Sequence, residues 1–468
     1  MVAHNTKQVV RTRLAASPTG YPHIGTVYQA LFNYAFAKKN NGKFIVRTED
    51  TDRNRLVEGS ENVIFESLEW FGLGEDESSR KDGDYKPYRQ SERIKIYHKH
   101  AEELIQNGHA FYSFFPKQDA GQKKVYTRKD DKSILYETEE KPPESIGEMI
   151  ERGDWVIRLK VPKGQKITFR DEIRGEITFD TSEVTEQVLI KSDGFPTYHL
   201  AVVVDDHLME ISHILRAEEW LSSTPKHILL YQYFNWEIPP IFHTAILRNP
   251  DKSKLSKRHG HTNVIWFREE GFLPEAILNF LALLGWTHPE EKEIFSLNEF
   301  IKLFDLKDIR PVAPIFDLVK LRWMNQQYIQ SSTDEDLKKR IKSYSLKAMQ
   351  LADDKLDALI PLLKSRMEVL SDFDKLTGVF FDEFKNAEFD EDEKSLARET
   401  KSSFQEIENW QHEAIFKAIK KNMTSFNIRM SVFYKLLTGA ERGLPLPETL
   451  EILGQIKTLK RLEEVINK

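Results

Sequence analysis

Over the first hundred residues, apolar positions fall into short runs divided by turn chemistry, then recur at helical spacing. Val9, Val10, Leu14 and Ala15 predict a strand. Ser17-Pro-Thr-Gly20 is dense turn chemistry: proline sets φ and glycine tolerates left-handed dihedrals. Val27, Ala30, Leu31, Tyr34 and Ala35 then repeat at i, i+3, i+4, i+7 and i+8, predicting a helix with one buried face. After the turn Asn40-Asn-Gly42, Phe44 to Thr48 reads as a second strand. Ile64, Leu68 and Phe71 predict a helix closed by Gly72. Strand, helix, strand, helix is the first half of a parallel, doubly wound sheet, which holds ligands at the carboxyl ends of its strands. Glu49 and Asp52 fall at such an end.

From about His98 the pattern changes. A helix from Tyr97 to Gln106 leads into a polar, lysine-rich stretch, Lys117 to Pro143, expected to be loop and short helix. Trp155–Val161, Ile167–Arg170 and Gly175–Phe179 alternate as antiparallel strands, an α+β insertion between two halves of the parallel sheet. The sheet is expected to resume with strands at Thr197–Val204, Ile211–Leu215 and Phe242–Leu247, with a helix near Trp220 to Tyr233. A helix from Phe272 to Gly285 follows, with Pro274 in its first turn, and helices continue past Phe300 and Leu318 to Tyr328. From about Gln330 to Lys468 only helical periodicity is present, with polar joints near Ala387–Asp392 and Gly439–Pro447.

Length changes the picture by requiring more than one core: 468 residues carry a prior of about three domains. The apolar fraction of 40% and charged fraction of 30% allow each a core inside a solvated surface. No apolar run approaches the roughly 20 residues of a membrane span, and Met-Val-Ala-His-Asn has no signal-peptide pattern, so a cytoplasmic protein is expected. With no cysteine, disulfides and thiolate zinc sites are excluded, and the histidines show no paired ligand spacing, so no structural metal is expected. The net charge of −6 does not advertise an RNA binder, although a whole-chain balance can hide a basic stripe.

Two stretches carry chemistry. Pro22-His23-Ile24-Gly25-Thr26 sits where the first predicted helix begins, and free N–H groups with a positive dipole end make that place an anion site. The Gly-x-Gly-x-x-Gly and Walker fingerprints are both absent. Far along the chain, Arg248-Asn-Pro-Asp-Lys252-Ser-Lys254-Leu255-Ser256-Lys257-Arg258-His259-Gly260 is a loop whose lysines are mobile point charges suited to a polyphosphate.

Together these stretches resemble the two signatures of class I aminoacyl-tRNA synthetases, and more narrowly those of bacterial-type glutamyl-tRNA synthetases. The same resemblance runs through Arg13-Leu-Ala-Ala-Ser-Pro-Thr-Gly20, Phe44-Ile-Val-Arg-Thr-Glu49-Asp-Thr-Asp52-Arg53, and Tyr88-Arg-Gln-Ser-Glu-Arg93. It continues through Lys191-Ser-Asp-Gly-Phe-Pro-Thr-Tyr198-His-Leu, Asp205-Asp-His-Leu and Arg216-Ala-Glu-Glu-Trp220, almost end to end. It implies a catalytic domain in two halves (1–97 and 192–253), interrupted by an acceptor-end-binding insertion (98–191). The lysine loop and stem-contact helices (254–329) and an all-helical anticodon-binding region (330–468) follow. Some relatives carry a cysteine-bound zinc in the insertion, but the matching stretch here, Phe111 to Phe115, has no cysteine.

The implied chemistry joins L-glutamate to ATP and passes the acyl group to tRNA(Glu). His23, Lys254 and Lys257 are the expected catalytic residues. By resemblance the ATP site takes in Ser17, Thr19, Gly20, His23, Gly25, Glu219, Leu247, Lys254, Leu255, Ser256, Lys257 and Arg258, with magnesium held mainly by phosphates and water. Glutamate requires a cation for its side chain and an anion for its ammonium. Arg13 and Arg216 are candidates for the first, because a guanidinium binds carboxylate with two bonds, and Glu49 for the second. Ala15, Ser17 and Tyr198 are expected along its walls. The family usually has asparagine where Val202 stands, and Ala16 replaces a common proline. Arg47, Arg53 and Asp205 are expected near the acceptor end of tRNA, and Arg366 against the last anticodon base. A monomer is expected. Two other readings remain: a non-discriminating enzyme that also charges tRNA(Gln), and a non-catalytic RNA-binding paralogue, which the retained His23, Lys254 and Lys257 disfavour. A short paralogue that modifies a tRNA base would lack the helical tail.

Overall fold

The structure, a computed structural model, describes residues 9–114, 155–255, 262–381 and 388–468. It divides into two compact units, 1–265 with 278–317, and 266–277 with 318–468.

In the first unit, strand β1 (Arg11–Ala16) leads through the Ser17–Gly20 turn into helix α1 (Ile24–Lys39), then to β2 (Lys43–Thr48). Gly20 adopts φ 127°, a backbone conformation that L side chains rarely reach. β1 and β2 pair in parallel from Arg11 opposite Lys43 to Ala16 opposite Thr48, and β2 pairs with β3 (Glu77–Ser78). Helices α2 (Ser60–Trp70) and α3 (Ile94–Gln106) complete this half. The single buried face expected for α1 is corrected: no residue from 24 to 39 is exposed, and Tyr28, Phe32 and Asn33 are buried alongside the periodic set. α1 is a central helix, so its apolar positions outrun one stripe.

Two further sheets follow. β4 (Ala110–Phe114), β5 (Trp155–Leu159) and β8 (Val188–Ile190) form an antiparallel sheet. The hairpin β6–β7 (Lys166–Asp171, Gly175–Asp180) instead joins β9 (Ile214–Ala217) and β10 (Ile241–Thr244), in the order β7-β6-β10-β9. The three antiparallel stretches expected as one insertion are therefore divided between two sheets. The strand expected at 197–204 is helix α4 (Tyr198–Leu208), followed by α5 (Thr224–Tyr233). Val202, Val203 and Val204 favour strands by χ1 restriction, but that preference is worth a few tenths of a kcal/mol per residue. Every residue from Leu200 to Asp206 is buried, and packing decides.

β1 and β9 lie side by side without a ladder. Ser212 N–H donates to Arg11 O at 3.0 Å, and the Arg13 guanidinium donates to Leu215 O at 3.0 Å. Beneath this seam lies a buried charge cluster. Arg13 grips Asp206 with Nε and Nη2, both at 3.0 Å, and Arg47 Nη1 reaches the same carboxylate at 2.7 Å. Asp205 accepts from Arg93 Nε at 2.8 Å, Gln90 at 2.9 Å and Tyr97 at 2.8 Å. Arg47 also donates to Glu49 at 3.0 Å. Three arginines thus meet three carboxylates, all buried.

The second unit is helical. One core joins Leu337, Leu359, Phe373, Leu396, Phe404, Ile419, Phe433 and Leu462 across helices that include Asp334–Tyr344, Asp353–Lys364, Glu391–Gln405, His412–Phe426 and Gln455–Asn467. Asp390 and Glu393 form a capping box that satisfies two orphan N–H groups, and Gly439 ends the helix Met430–Thr438 at φ 75°.

Removing Asp206 takes from Arg13 its carboxylate partner and from Arg47 its shortest one, leaving buried positive charge in excess. Asp206→Ala is predicted to destabilise the first unit by about 3–5 kcal/mol, seen by calorimetry as a lowered transition with the helical unit's unmoved. Burial alone would raise the Asp206 carboxyl, but Arg13 and Arg47 outweigh it and hold it below the usual aspartate value. For Glu77, Arg11 and Tyr88 overcome burial in the same way. Both are depressed on folding, so their stabilisation is complete above about pH 5 and is lost as pH falls through the folded values. Measured stability should fall on acidification below that point, and a flat profile down to about pH 3 would contradict the assignment.

Candidate active site

The carboxyl ends of β1, β2, β9 and β10 open into one cavity of about 1110 Å³. Its wall collects residues from across the first unit: Arg13, Ala15, Ser17, Thr19, Gly20, His23, Gly25, Glu49, Tyr198, Arg216, Glu219, Leu247, Lys254 and Leu255. These are the sequence-derived ATP and glutamate residues, with four exceptions. Val202 is buried in the apolar core and does not line the cavity. Ser256, Lys257 and Arg258 lie outside the described residues.

On one side, His23 is the N-cap of α1. Its Nδ1 accepts from Gly25 N–H at 2.9 Å, which leaves the ring proton on Nε2 as a donor. The segment that follows the lysine loop is bonded to this turn, and the described start of the loop is bonded back to Leu247. Leu255 N–H donates to Leu247 O at 3.1 Å, while Ile24 N–H donates to Thr262 O at 2.8 Å and Val264 N–H to Pro22 O at 3.1 Å. The two signature stretches, more than two hundred residues apart in sequence, both contribute to the wall of the cavity. Lys254 Nζ pairs with Glu219, both half exposed.

On the other side, Arg216 at β9 is buried and has only neutral partners. Its Nε donates to His243 Nε2 at 3.0 Å, Nη1 to His227 Nδ1 at 2.9 Å and to Tyr198 Oη at 3.3 Å, and Nη2 to Thr224 Oγ1 at 2.9 Å. Among the described residues no carboxylate pairs with it. A buried, uncompensated guanidinium is costly, and it lines the cavity, so the site demands an anion there. Across the cavity Glu49 spends only Oε1 on Arg47. Burial raises its carboxyl above the usual glutamate value, and Arg47 offsets that only in part, so an incoming cation would restore the charged form. Trp220 and Tyr198, with ring centroids 4.2 Å apart, close one wall.

The expected tRNA contacts separate. Arg47 and Asp205 are 0% exposed, so the expectation that they meet RNA is corrected: they belong to the charge cluster beneath the cavity. Arg53 is half exposed, 4.0 Å from Asp50 and 5.7 Å from the Phe195 ring. Arg366 is exposed in the helical unit, close enough to Tyr434 to act on its hydroxyl. Sequence reasoning missed His227, His243 and Thr224 around Arg216, and Arg93, Gln90 and Tyr97 around Asp205. Gln90, Arg93 and Tyr97 follow helical spacing, and Thr224 and His227 share one helix, but only the fold brings these sets to Asp205 and to Arg216. Among the described residues, no group of three or more His, Asp or Glu side chains is arranged to hold a metal.

A Cβ at Gly25 would stand 3.0 Å from His23 Nδ1. Gly25→Ala is predicted to push the imidazole out of its cap and lower the stability of the first unit by about 1 kcal/mol, read by thermal unfolding, and an unmoved transition would contradict the cap assignment.

Comparison with known proteins identifies the family. Residues 9–323 match the family described as tRNA synthetases class I (E and Q), catalytic domain, and residues 328–466 match an anticodon binding domain. A glutamate–tRNA ligase of Psychrobacter sp. PRwf-1 is 41% identical over 100% of this chain and 94% of its own length. One from Thermus thermophilus is also 41% identical, over 98% of this chain and 100% of its own. Among solved structures, the glutamate–tRNA synthetase of Elizabethkingia anophelis has a TM-score of 0.81 at 34% identity, covering 98% of this chain and 100% of that one. A glutamate tRNA ligase from Elizabethkingia meningosepticum in complex with its amino acid has a TM-score of 0.80 at 34% identity, covering 98% and 99%. The chain belongs to the class I tRNA synthetases of the E and Q family.

Proposed function

We propose that this chain is a glutamate–tRNA ligase, activating L-glutamate with ATP and transferring it to the 3′-terminal adenosine of tRNA(Glu). The observation that carries the reading is the pairing of Arg216, buried and without a carboxylate partner, with Glu49 in one cavity. An amino acid with a second carboxylate satisfies both. Its ammonium takes the open Oε2 of Glu49, and its side-chain carboxylate takes the Nη1–Nη2 edge of Arg216. The Nη1 proton now in the long 3.3 Å contact to Tyr198 Oη is the one that turns to the carboxylate, and the Tyr198 hydroxyl is then able to donate to the same group. Arg13 lines the cavity as well, but its charge is already spent on Asp206.

The α-carboxylate oxygen attacks the α-phosphorus of ATP, and diphosphate leaves. A ribose hydroxyl of the tRNA then attacks the acyl carbon, and AMP leaves. His23 Nε2–H and the positive end of the α1 dipole stabilise phosphate charge on one side, the first N–H groups of α1 being already bonded to Thr262 and His23, and Lys254 and Lys257 bring positive charge from the loop. Catalysis of this kind rests on alignment and on charges placed beforehand. Magnesium arrives with ATP as part of the substrate, and no step is assigned to a protein-held metal. Arg53 is placed at the acceptor end and Arg366 at the anticodon. The enzyme acts in the cytoplasm, as a monomer.

Charging of purified tRNA(Glu) and tRNA(Gln) with labelled glutamate tests the reading. Charging of the first alone is expected, and charging of both would keep the chemistry and remove the Arg366 discrimination. Charging of neither, with ATP and magnesium present, would overturn the proposal. Lys257→Ala should leave tRNA binding intact while lowering kcat by about a hundredfold or more, and unchanged charging would remove the loop from the mechanism.

A further inference from the structure

Among the described residues, four side chains hold Arg216 in place, and none is negative. Each accepts a hydrogen bond from the guanidinium, which fixes where the protons on the two imidazoles must lie. Arg216 always donates, so His227 Nδ1 is an acceptor and its proton sits on Nε2, which lies 3.1 Å from His199 Nδ1. His243 Nε2 is likewise an acceptor, so its proton sits on Nδ1 and is donated to Asp171 at 2.6 Å. Asp171 is itself over-determined. It accepts from the backbone N–H of Ile173 at 3.0 Å, Arg174 at 2.8 Å and His243 at 3.1 Å, so the turn of the β6–β7 hairpin locks the carboxylate that locks the ring. His227, His243, Thr224 and Asp171 are all buried.

We propose that His227 and His243 are positioning residues for substrate selection: neutral imidazoles that aim Arg216 into the cavity without neutralising it, with Asp171 selecting the His243 tautomer. This rests on the reading of Arg216 as the ligand of the substrate's side-chain carboxylate. The contrast with Arg13 and Arg47 in the same unit carries the argument. Those two are oriented by carboxylates, which orient and neutralise at once, and so are unavailable as anion sites. Arg216 is oriented just as fully, through four partners, while its charge is kept for the ligand. Burial drives the His227 imidazole well below its ordinary value and Arg216 adds to that, so the ring stays neutral and an acceptor throughout the working pH range. Among the described residues, Asp171 is the one carboxylate hydrogen-bonded to these four partners, and it reaches Arg216 through the ring of His243.

The test uses the full-length enzyme and steady-state tRNA charging, with KM measured separately for glutamate and ATP. His227→Leu removes the acceptor facing Arg216 Nη1 and is expected to raise the glutamate KM by about tenfold, with the ATP KM within about twofold of the parent. His227→Asn, whose Oδ1 stands near the position of Nδ1, is expected to restore the glutamate KM to within about threefold. A role in folding alone would lower the amount of active enzyme and leave both KM values unmoved. Asp171→Asn, nearly isosteric, keeps the test alive should His227→Leu fail to fold. It weakens the hold on His243 Nδ1–H and is expected to raise the glutamate KM several-fold. Arg216→Ala is run beside them. A raised glutamate KM in Arg216→Ala with unchanged values in His227→Leu and Asp171→Asn overturns the positioning role and leaves the carboxylate reading intact. An unchanged glutamate KM in Arg216→Ala overturns the reading itself.

Discussion

Asp206 accepts from arginines on two neighbouring parallel strands, and it does so from helix α4, which arrives almost two hundred residues later in the chain. That carboxylate ties β1 and β2 to α4, while Arg13 also reaches across to the backbone of β9. The parallel halves of the first unit are joined at this point by side chains rather than by a ladder. Such a joint is sensitive to its members: three arginines and three carboxylates balance, and loss of one leaves a buried charge.

The layer above it obeys a different rule. Beneath the cavity, charges are matched within the protein; along its wall, Arg216 is left unmatched and Glu49 is matched on one oxygen. A ligand with one ammonium and a distal carboxylate completes the electrostatics that the fold leaves open. The phosphate side works by geometry instead, since His23 caps α1 and the segment that follows the lysine loop is bonded on both sides of that cap.

Much of this was legible in the sequence where chemistry and chain direction coincide. The His23 turn, the lysine loop, Glu49 after a strand and the helical tail all follow from local pattern. Failures came where burial erased the pattern. Val202 to Val204 read as a strand because a fully buried helix segment shows no alternation of polar and apolar positions. Arg47 and Asp205 lie in stretches that resemble functional motifs, and nothing local tells a buried structural charge from one that touches substrate. The neutral setting of Arg216 was illegible for another reason: Tyr198, the pair Thr224 and His227, and His243 come from three elements, and no one-dimensional spacing brings them together.

The most direct test of the central claim is a crystal structure of the enzyme with L-glutamate bound, at a resolution that places carboxylate oxygens. The account predicts the side-chain carboxylate on Arg216, within hydrogen-bond reach of Nη1 and Nη2, the ammonium on Glu49, and His227 and His243 unmoved. A side-chain carboxylate held by Arg13, with the Arg13–Asp206 pair broken to receive it, would contradict it.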